Sequence, residues 1–455
     1  MRFNLAGGFG LTCAQFIWAL LLGGMAISSG CRAEADDVED ATARLQMTYN
    51  WQRHPAYQAA YSGPNSLHAN AETMYTFSVD AFLGFRPWQD GEIYLTPEVF
   101  QGVPFSGNLV GLGGFTNGEI TRAAGPNPTL YRQKFFLRQT WNNGGGTEHV
   151  ESDLNQMAGW HDKNRFVLTV GNFSTLDVFD PNTYAKDPRT QFMNWGNMTY
   201  AAYDYAADAR GFGWGFAGEW YRDDWVLRYG RMTGPETPNG LPLDYAIGSH
   251  YGDQLEVEHE HMLYGRPGAV RVLGWRDRAN LASFSDALTW LNAHPGAYTG
   301  PDALNAVRTG VKTKYGLGIN IEQEISDSTG VFMRAMKADG RSETYAFTEA
   351  DGSFSSGMLI KGDRWGRHAD NVGLSLMRNT ISADRRRFLE AGGISFFIGD
   401  GRLNYRPEDI FEGFYSLSLG KDYWLTADYQ RIQNPAYNAD RGPIDVYALR
   451  FHVEL

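Results

Sequence analysis

The sequence predicts an all-β chain, a transmembrane antiparallel β-barrel of about 16 strands with long inward-folding loops. Three observations predict it. Over the last nine residues, Tyr447, Leu449, Phe451, Val453 and Leu455 share one side of an extended strand, and Ala448, Arg450, His452 and Glu454 share the other. The same alternation returns from Ala43 to the final residue. Finally, no segment after the first 35 residues approaches the ~18–20 unbroken apolar residues of a membrane helix. Mean hydropathy is negative, yet aromatics reach 14% and glycine 53 of 455 residues, the mixture of a wet lumen, aromatic girdles and tight turns. A soluble β-sandwich or propeller would need a wide apolar core, whereas here nearly every apolar face is paired with a strongly polar one.

Residues 1–35 read as a secretory signal, with Arg2, an apolar stretch from Phe9 to Ile27, and a small-x-small cleavage site at Ala33-Glu34-Ala35. Both cysteines, Cys13 and Cys31, fall inside it, so residues 36–455, the barrel domain, carry no thiol chemistry. Net charge moves from −12 to about −13 on its removal, which argues against nucleic acid as a partner.

The first strand runs near 43–52, with Leu45, Met47, Tyr49 and Trp51 opposite Gln46, Thr48, Asn50 and Gln52. A run at 75–86 and one at 92–100 flank Asp90-Gly91, a hairpin arrangement. Further runs lie near 131–141, 164–172, 198–206, 212–221, 224–232, 252–261, 269–276, 314–322, 331–337, 342–349, 355–361, 371–379, 393–399, 412–419 and 423–431. Bacterial single-chain barrels are usually even-numbered, so some short runs belong to loops; a barrel of 18 strands is the alternative to 16. Long connections are predicted at 101–128, 175–197 and 280–310, and a short helix at 148–160.

Five stretches resemble the carbohydrate-selective porin (OprB) family: TYNWQRHPAYQAAYSGPNSL, GEIYLTPEVFQGVPFSGNLVGLGGFTNGEI, YRQKFFLRQTW, FVLTVGNFSTLDVFDPNTYAKDPRTQFMNW and DYQRIQNPAYNADRGPIDVYALRFHVEL. The last two carry the most specific match. The resemblance implies a monomeric outer-membrane channel that passes monosaccharides through a charged constriction built by inward loops.

Sugars offer hydroxyls and apolar C–H faces, so a selective passage needs fixed donors, acceptors and flat aromatic surfaces, with binding weak enough for release. The phase of 131–141 places Arg132, Lys134 and Arg138 on the lumen side, a candidate basic rung. Glu98, on the facing hairpin strand, is its acidic counterpart. Asp177, Asp180, Tyr184 and Arg189 belong to the candidate inward loop, and Trp195 or Tyr184 could supply a stacking platform. Glu256, Glu258 and Glu260 form an acidic ladder into the lumen. The Asp and Asn spacing of 177–182 is not that of an EF-hand, and His259 with His261 lacks a third ligand, so no metal or cofactor is expected. No G-x-S-x-G elbow or H-E-x-x-H helix suggests an enzyme.

The expected partners are carbohydrate solutes, outer-membrane lipid and lipopolysaccharide, and the barrel-assembly machinery during insertion. A secretion barrel for an acidic polysaccharide is the alternative function, because an arginine-rich lumen would also suit a polyanion.

Overall fold

The computed structural model describes residues 38–295 and 302–455; the signal segment lies outside them. Its strands are β1 (Ala41–His54), β2 (Glu72–Trp88), β3 (Gly91–Val103), β4 (Thr129–Asn142), β5 (Thr147–Val150), β6 (Gly159–Asp162), β7 (Arg165–Phe173), β8 (Gly213–Arg222) and β9 (Trp225–Met232). They continue with β10 (Tyr251–Leu263), β11 (Arg266–Asn280), β12 (Val311–Ser326), β13 (Thr329–Ala338), β14 (Gly352–Lys361), β15 (Asn371–Thr380), β16 (Glu408–Ser418), β17 (Tyr423–Gln433) and β18 (Ile444–Glu454). All but β5 and β6 form one closed antiparallel barrel of 16 strands, sealed where β1 meets β18 with Thr48 opposite His452 and Trp51 opposite Leu449. β5 and β6 pair only with each other.

The barrel is polar inside and apolar outside. Gln46, Thr48, Asn50 and Gln52 of β1 are buried, while Tyr49 between them is 41% exposed. Leu317 and Leu376, each 61% exposed, belong to the same outer surface. Water cannot satisfy backbone groups in hydrocarbon, and closure of the ladder leaves no open edge.

One rim carries mostly tight turns, such as Asp223-Asp224 between β8 and β9 and Tyr264-Gly265 between β10 and β11. The other carries the long connections, among them 104–128, 174–212 and 381–407. These long segments fold into the lumen. Their apolar side chains pack as a second core inside the polar wall: Trp195 stacks on Phe347 at 5.0 Å, and Phe115 lies 4.9 Å from Trp195.

That inner core explains three runs that alternate like strands but are not. Residues 198–206, 342–349 and 393–399 have no barrel neighbour. In the last two runs, three consecutive N–H groups each go instead to one buried carboxylate, Asp204 of the first run or Glu349. Asp204 accepts from the backbone of Tyr345, Ala346 and Phe347 at 2.6, 2.9 and 2.8 Å. Glu349 accepts from Phe396, Phe397 and Ile398 at 2.9, 3.2 and 3.0 Å. A single carboxyl acceptor replaces several ladder bonds. The short helix expected at 148–160 is also absent: that stretch contains the β5–β6 hairpin and its tip.

Strand β4 needs a second correction. Thr96 of β3 pairs with Lys134, but the next residue, Pro97, pairs with Arg132. Gln133 is therefore the extra residue of a β-bulge, next to a proline that has no N–H for the ladder. The phase slips there. Lys134, Phe136 and Arg138 face the lumen as expected, whereas Arg132 is turned to the outer surface over the Trp214 ring at 5.2 Å. Tyr131 and Gln133, expected outside, are drawn inward.

Candidate functional site

The residues of the lumen are organised by the connection from Ser174 to Phe212, which leaves β7, circles the interior wall and returns to β8. It opens with a capping box: Asp177 accepts the Ser174 N–H at 2.9 Å, and the Ser174 hydroxyl accepts the Leu176 N–H at 3.3 Å. The second oxygen of Asp177 accepts Lys134 Nζ at 2.7 Å, tying the loop to β4.

Asp180 anchors the far side. It is fully buried and adopts a left-handed backbone (φ 53°), a conformation aspartate tolerates better than most residues. Its carboxylate accepts from Arg334 Nε at 3.0 Å, Asn320 Nδ2 at 2.6 Å and the Thr199 hydroxyl at 2.8 Å. Next to it, Thr183 N–H donates to Glu322 at 2.6 Å. The Tyr184 ring lies against the wall at Gly330, where a Cβ would come within 1.9 Å of it, so only glycine fits beneath this ring.

Arg189 is the hub. Its guanidinium donates to Glu98 of β3 at 3.0 Å, Glu119 of the 104–128 connection at 2.8 Å and Gln46 of β1 at 2.8 Å, and forms an ion pair with Asp80 of β2 at 2.9 Å. Burial opposes its charge, but the Asp80, Glu119 and Glu98 carboxylates more than offset this and raise its pKa above the usual arginine value. Gln133 donates to both Asp80 and Glu98 at 3.0 Å, and the Tyr131 hydroxyl donates to Glu98. The inward slip at the bulge thus completes this cluster.

Beside the hub is a chamber of about 430 Å³, within the range of small-molecule sites. Its charged lining includes Glu98, Glu119, Asp177 and Asp187 against Lys134, Arg138, Lys186, Arg189 and Arg210, with Asp80 behind Arg189. Arg138 lies 5.3 Å over the Tyr94 ring, 3.7 Å from Glu92, and donates to the Asn155 carbonyl at 3.1 Å. Arg210 covers the Tyr131 ring at 4.2 Å. Lys186 Nζ donates to the carbonyls of Phe179 and Asp180, both at 2.9 Å. Burial pushes its pKa down to about 8 against the opposing charge of Asp180.

The chamber continues into a neck of about 50 Å³, with which it shares Thr121, Tyr205 and Arg210, and the neck into a mouth of about 490 Å³ through Arg122, Ala209 and Asn239. The three cavities thus lie in series between the long-loop rim and the Arg189 cluster.

Of the residues expected from sequence, the structure brings Glu98, Lys134, Arg138, Asp177 and Arg189 to the chamber. Asp180 and Tyr184 are spent on holding the loop to the wall. Trp195, 5% exposed, has its ring committed to Phe347 and Phe115 and shows only an edge to the neck. Arg132 is outside. The acidic ladder does face inward, but Glu256 and Glu258 are paired with Arg228 and Glu258 also with Arg271. Missed were Asp80, Glu119, Lys186 and Arg210. The inward phase of β2 marks Asp80, whereas Glu119 sits in a segment without any period. Among the described residues, no group of three or more His, Cys, Asp or Glu is arranged to hold a metal.

The sequence profile of the carbohydrate-selective porin, OprB family, matches residues 65–455. The chain belongs to this family. This porin is an outer-membrane barrel and a sugar channel by that membership. No curated protein matches it in sequence. Among solved structures it is similar to OprB of Pseudomonas putida, with a TM-score of 0.67 at 15% identity over 94% of this porin and 97% of that chain. The outer membrane channel DcaP of Acinetobacter baumannii follows at a TM-score of 0.50 and 10% identity, over 94% and 99% of the two chains. At such identities the likeness is one of fold.

Proposed function

We propose that this porin lets monosaccharides and similar small polar solutes diffuse passively through the Arg189-clamped chamber. The observation that carries the reading is the clamp itself: a cation held among three carboxylates beside a chamber lined by nearly equal numbers of acids and bases. A neutral solute with many hydroxyls meets donors and acceptors on several sides, while an ion of either sign meets a like charge. The acids speak against export of an acidic polysaccharide, which an arginine-lined bore would favour. In planar bilayers, open channels should lose current reversibly as glucose is added; a current indifferent to glucose would oppose the reading.

The short-turn rim faces the periplasm in this reading, as in barrels of this kind. One copy encloses the whole path, so the channel works as a monomer. Residues 1–35 are removed on export, the assembly machinery inserts residues 36–455, and the apolar outer wall meets lipid and lipopolysaccharide. The protein moves solute without chemical turnover.

Two outcomes follow at single positions. Arg138→Ala should raise conductance and weaken sugar block, because Arg138 lines the chamber. Leu137→Ala, on the outer face, should leave both within error, with an effect on heat stability only; bilayer recordings with a glucose titration read both. Lys186 gives a pH dependence. Below pH 8 it is charged in the lumen; above it the charge is lost, so cation preference should rise between about pH 7 and pH 9. Its folded pKa is depressed, so the unfolded chain binds more protons between about 8 and the free-lysine value, and stability rises with pH across that window. Lys186→Met should remove the step in reversal potential.

A further inference from the structure

The short-turn rim has two longer connections, 362–370 between β14 and β15 and, longest, 143–164 between β4 and β7. Between β4 and β7 the chain sends residues 147–162 back into the barrel as a tongue, the β5–β6 hairpin with its tip turned to the lumen. The tip residues Leu154, Asn155 and Gln156 are half-buried and line the chamber. No other connection of that rim contributes to the chamber lining among the described residues.

The tongue is held by specific bonds to the wall. The Asn155 carbonyl accepts from Arg138 at 3.1 Å, and its side-chain oxygen accepts from the Thr96 hydroxyl at 2.9 Å. Asn155 has a left-handed backbone, φ 54°, which turns the chain at the tip. Met157 is 1% exposed and donates its N–H to the Tyr94 hydroxyl at 3.0 Å. At the base, Glu39 accepts from the Ser152 hydroxyl at 2.7 Å and the Ala158 N–H at 2.8 Å, while Arg44 donates to Ser152 at 2.7 Å.

We infer that this tongue sets the size limit for sugars at the inner end of the chamber, with Leu154 and Gln156 as its specificity-determining residues. The inference rests on the reading that sugars pass through the chamber. A solute leaving the Arg189 cluster toward the short-turn rim meets one apolar side chain, Leu154, suited to a C–H face. It also meets the Asn155 Nδ2 donor and the Gln156 Oε1 acceptor, suited to hydroxyls, the other halves of these amides being bonded to Thr96 and the Glu151 carbonyl. Because the tip is bonded to Arg138, the tongue also fixes where that guanidinium points.

The test is excision of residues 147–162 with Gly146 joined to Lys163. These ends already lie together, Lys163 N–H donating to the Gly146 carbonyl at 2.9 Å, so the barrel register is preserved. In liposome swelling, wild type should admit glucose and exclude maltotriose. The excised protein should admit both, with conductance raised roughly two-fold or more. A maltotriose cut-off and conductance equal to wild type, with glucose still entering, would overturn the tongue's role and leave sugar passage standing. Failure of wild type to admit glucose would instead overturn sugar passage. Should the excised barrel not insert, Gln156→Cys keeps every bond from the tongue to the wall and removes only the Gln156 Nε2 bond to the Glu151 carbonyl within it, at 2.7 Å. Modification with a bulky methanethiosulfonate should reduce current and glucose entry, and an unchanged current after complete modification would equally overturn the proposal.

Discussion

Replacing Arg189 by alanine should convert a nearly neutral constriction into a cation-selective one. The substitution removes the common partner of Asp80, Glu98 and Glu119, which come from two strands and a separate connection. A unit charge about 8 Å from the ion path, at an effective dielectric of about 20, is worth about 2 kcal/mol. After screening, cation-over-anion permeability should rise about ten-fold. Reversal potentials in a salt gradient measure this directly. Conductance should increase and glucose block weaken, because the arginine occupies the space between wall and loop. Arg189→Lys should restore part of the ion balance but not the sugar block, since an ammonium cannot span the three acceptors and the Asp80 charge that the planar fork reaches. Unchanged ion selectivity in the alanine variant would place the ion path elsewhere in the lumen.

The second large effect is expected at Asp180. Its removal strands Arg334, which is 1% exposed and lies on the inner face of β13. Breaking a buried pair from one side costs about 3–5 kcal/mol. Asp180→Ala should therefore lower the temperature of heat-induced unfolding, read as a mobility shift on gels. It should also make single-channel currents noisier, because the Ser174–Phe212 connection keeps only its weaker holds on β12 and β13, such as Thr183 to Glu322 and Asn197 to Arg334. The double replacement Asp180→Leu with Arg334→Met should recover much of the stability, as apolar pairs commonly do when they replace buried ions. Quiet channels and full heat stability in Asp180→Ala would show that the loop is held by its other contacts, such as Arg189 and the bonds of Glu412 to the Asn194 N–H (3.2 Å) and the Asn197 side chain (2.7 Å).

The barrel was legible because its physics is periodic. In β1 and β18 lipid and water face alternate residues, so Tyr49 against Asn50 and Leu449 against Arg450 report the fold one residue at a time. The same rule misled wherever a segment was extended for another reason. Tyr345 to Phe347 and Phe396 to Ile398 alternate because they pack against the inner core, with Asp204 and Glu349 supplying the acceptors a neighbouring strand would supply. Arg132 went astray through a single inserted residue, Gln133, since one bulge exchanges the two faces.

The site was legible in part. Lys134, Arg138 and Glu98 follow from strand phase, and Asp177 and Arg189 from the resemblance of their loop to the family. Glu119, Lys186 and Arg210 could not be found this way. They lie on irregular segments whose place in the lumen is decided by long-range bonds, such as Asn50 to Glu119 at 2.5 Å and Arg210 over Tyr131. The tongue is not legible as a hairpin, because its few residues have no barrel face to report.

The central claim is that a charge-balanced chamber in the lumen passes small neutral sugars better than ions of the same size. Entry rates of glucose, gluconate and glucosamine into liposomes carrying purified protein test it most directly. The account predicts glucose fastest, with the anion and the cation both slower. Gluconate or glucosamine entering as fast as glucose, or no entry of any of the three, would contradict it.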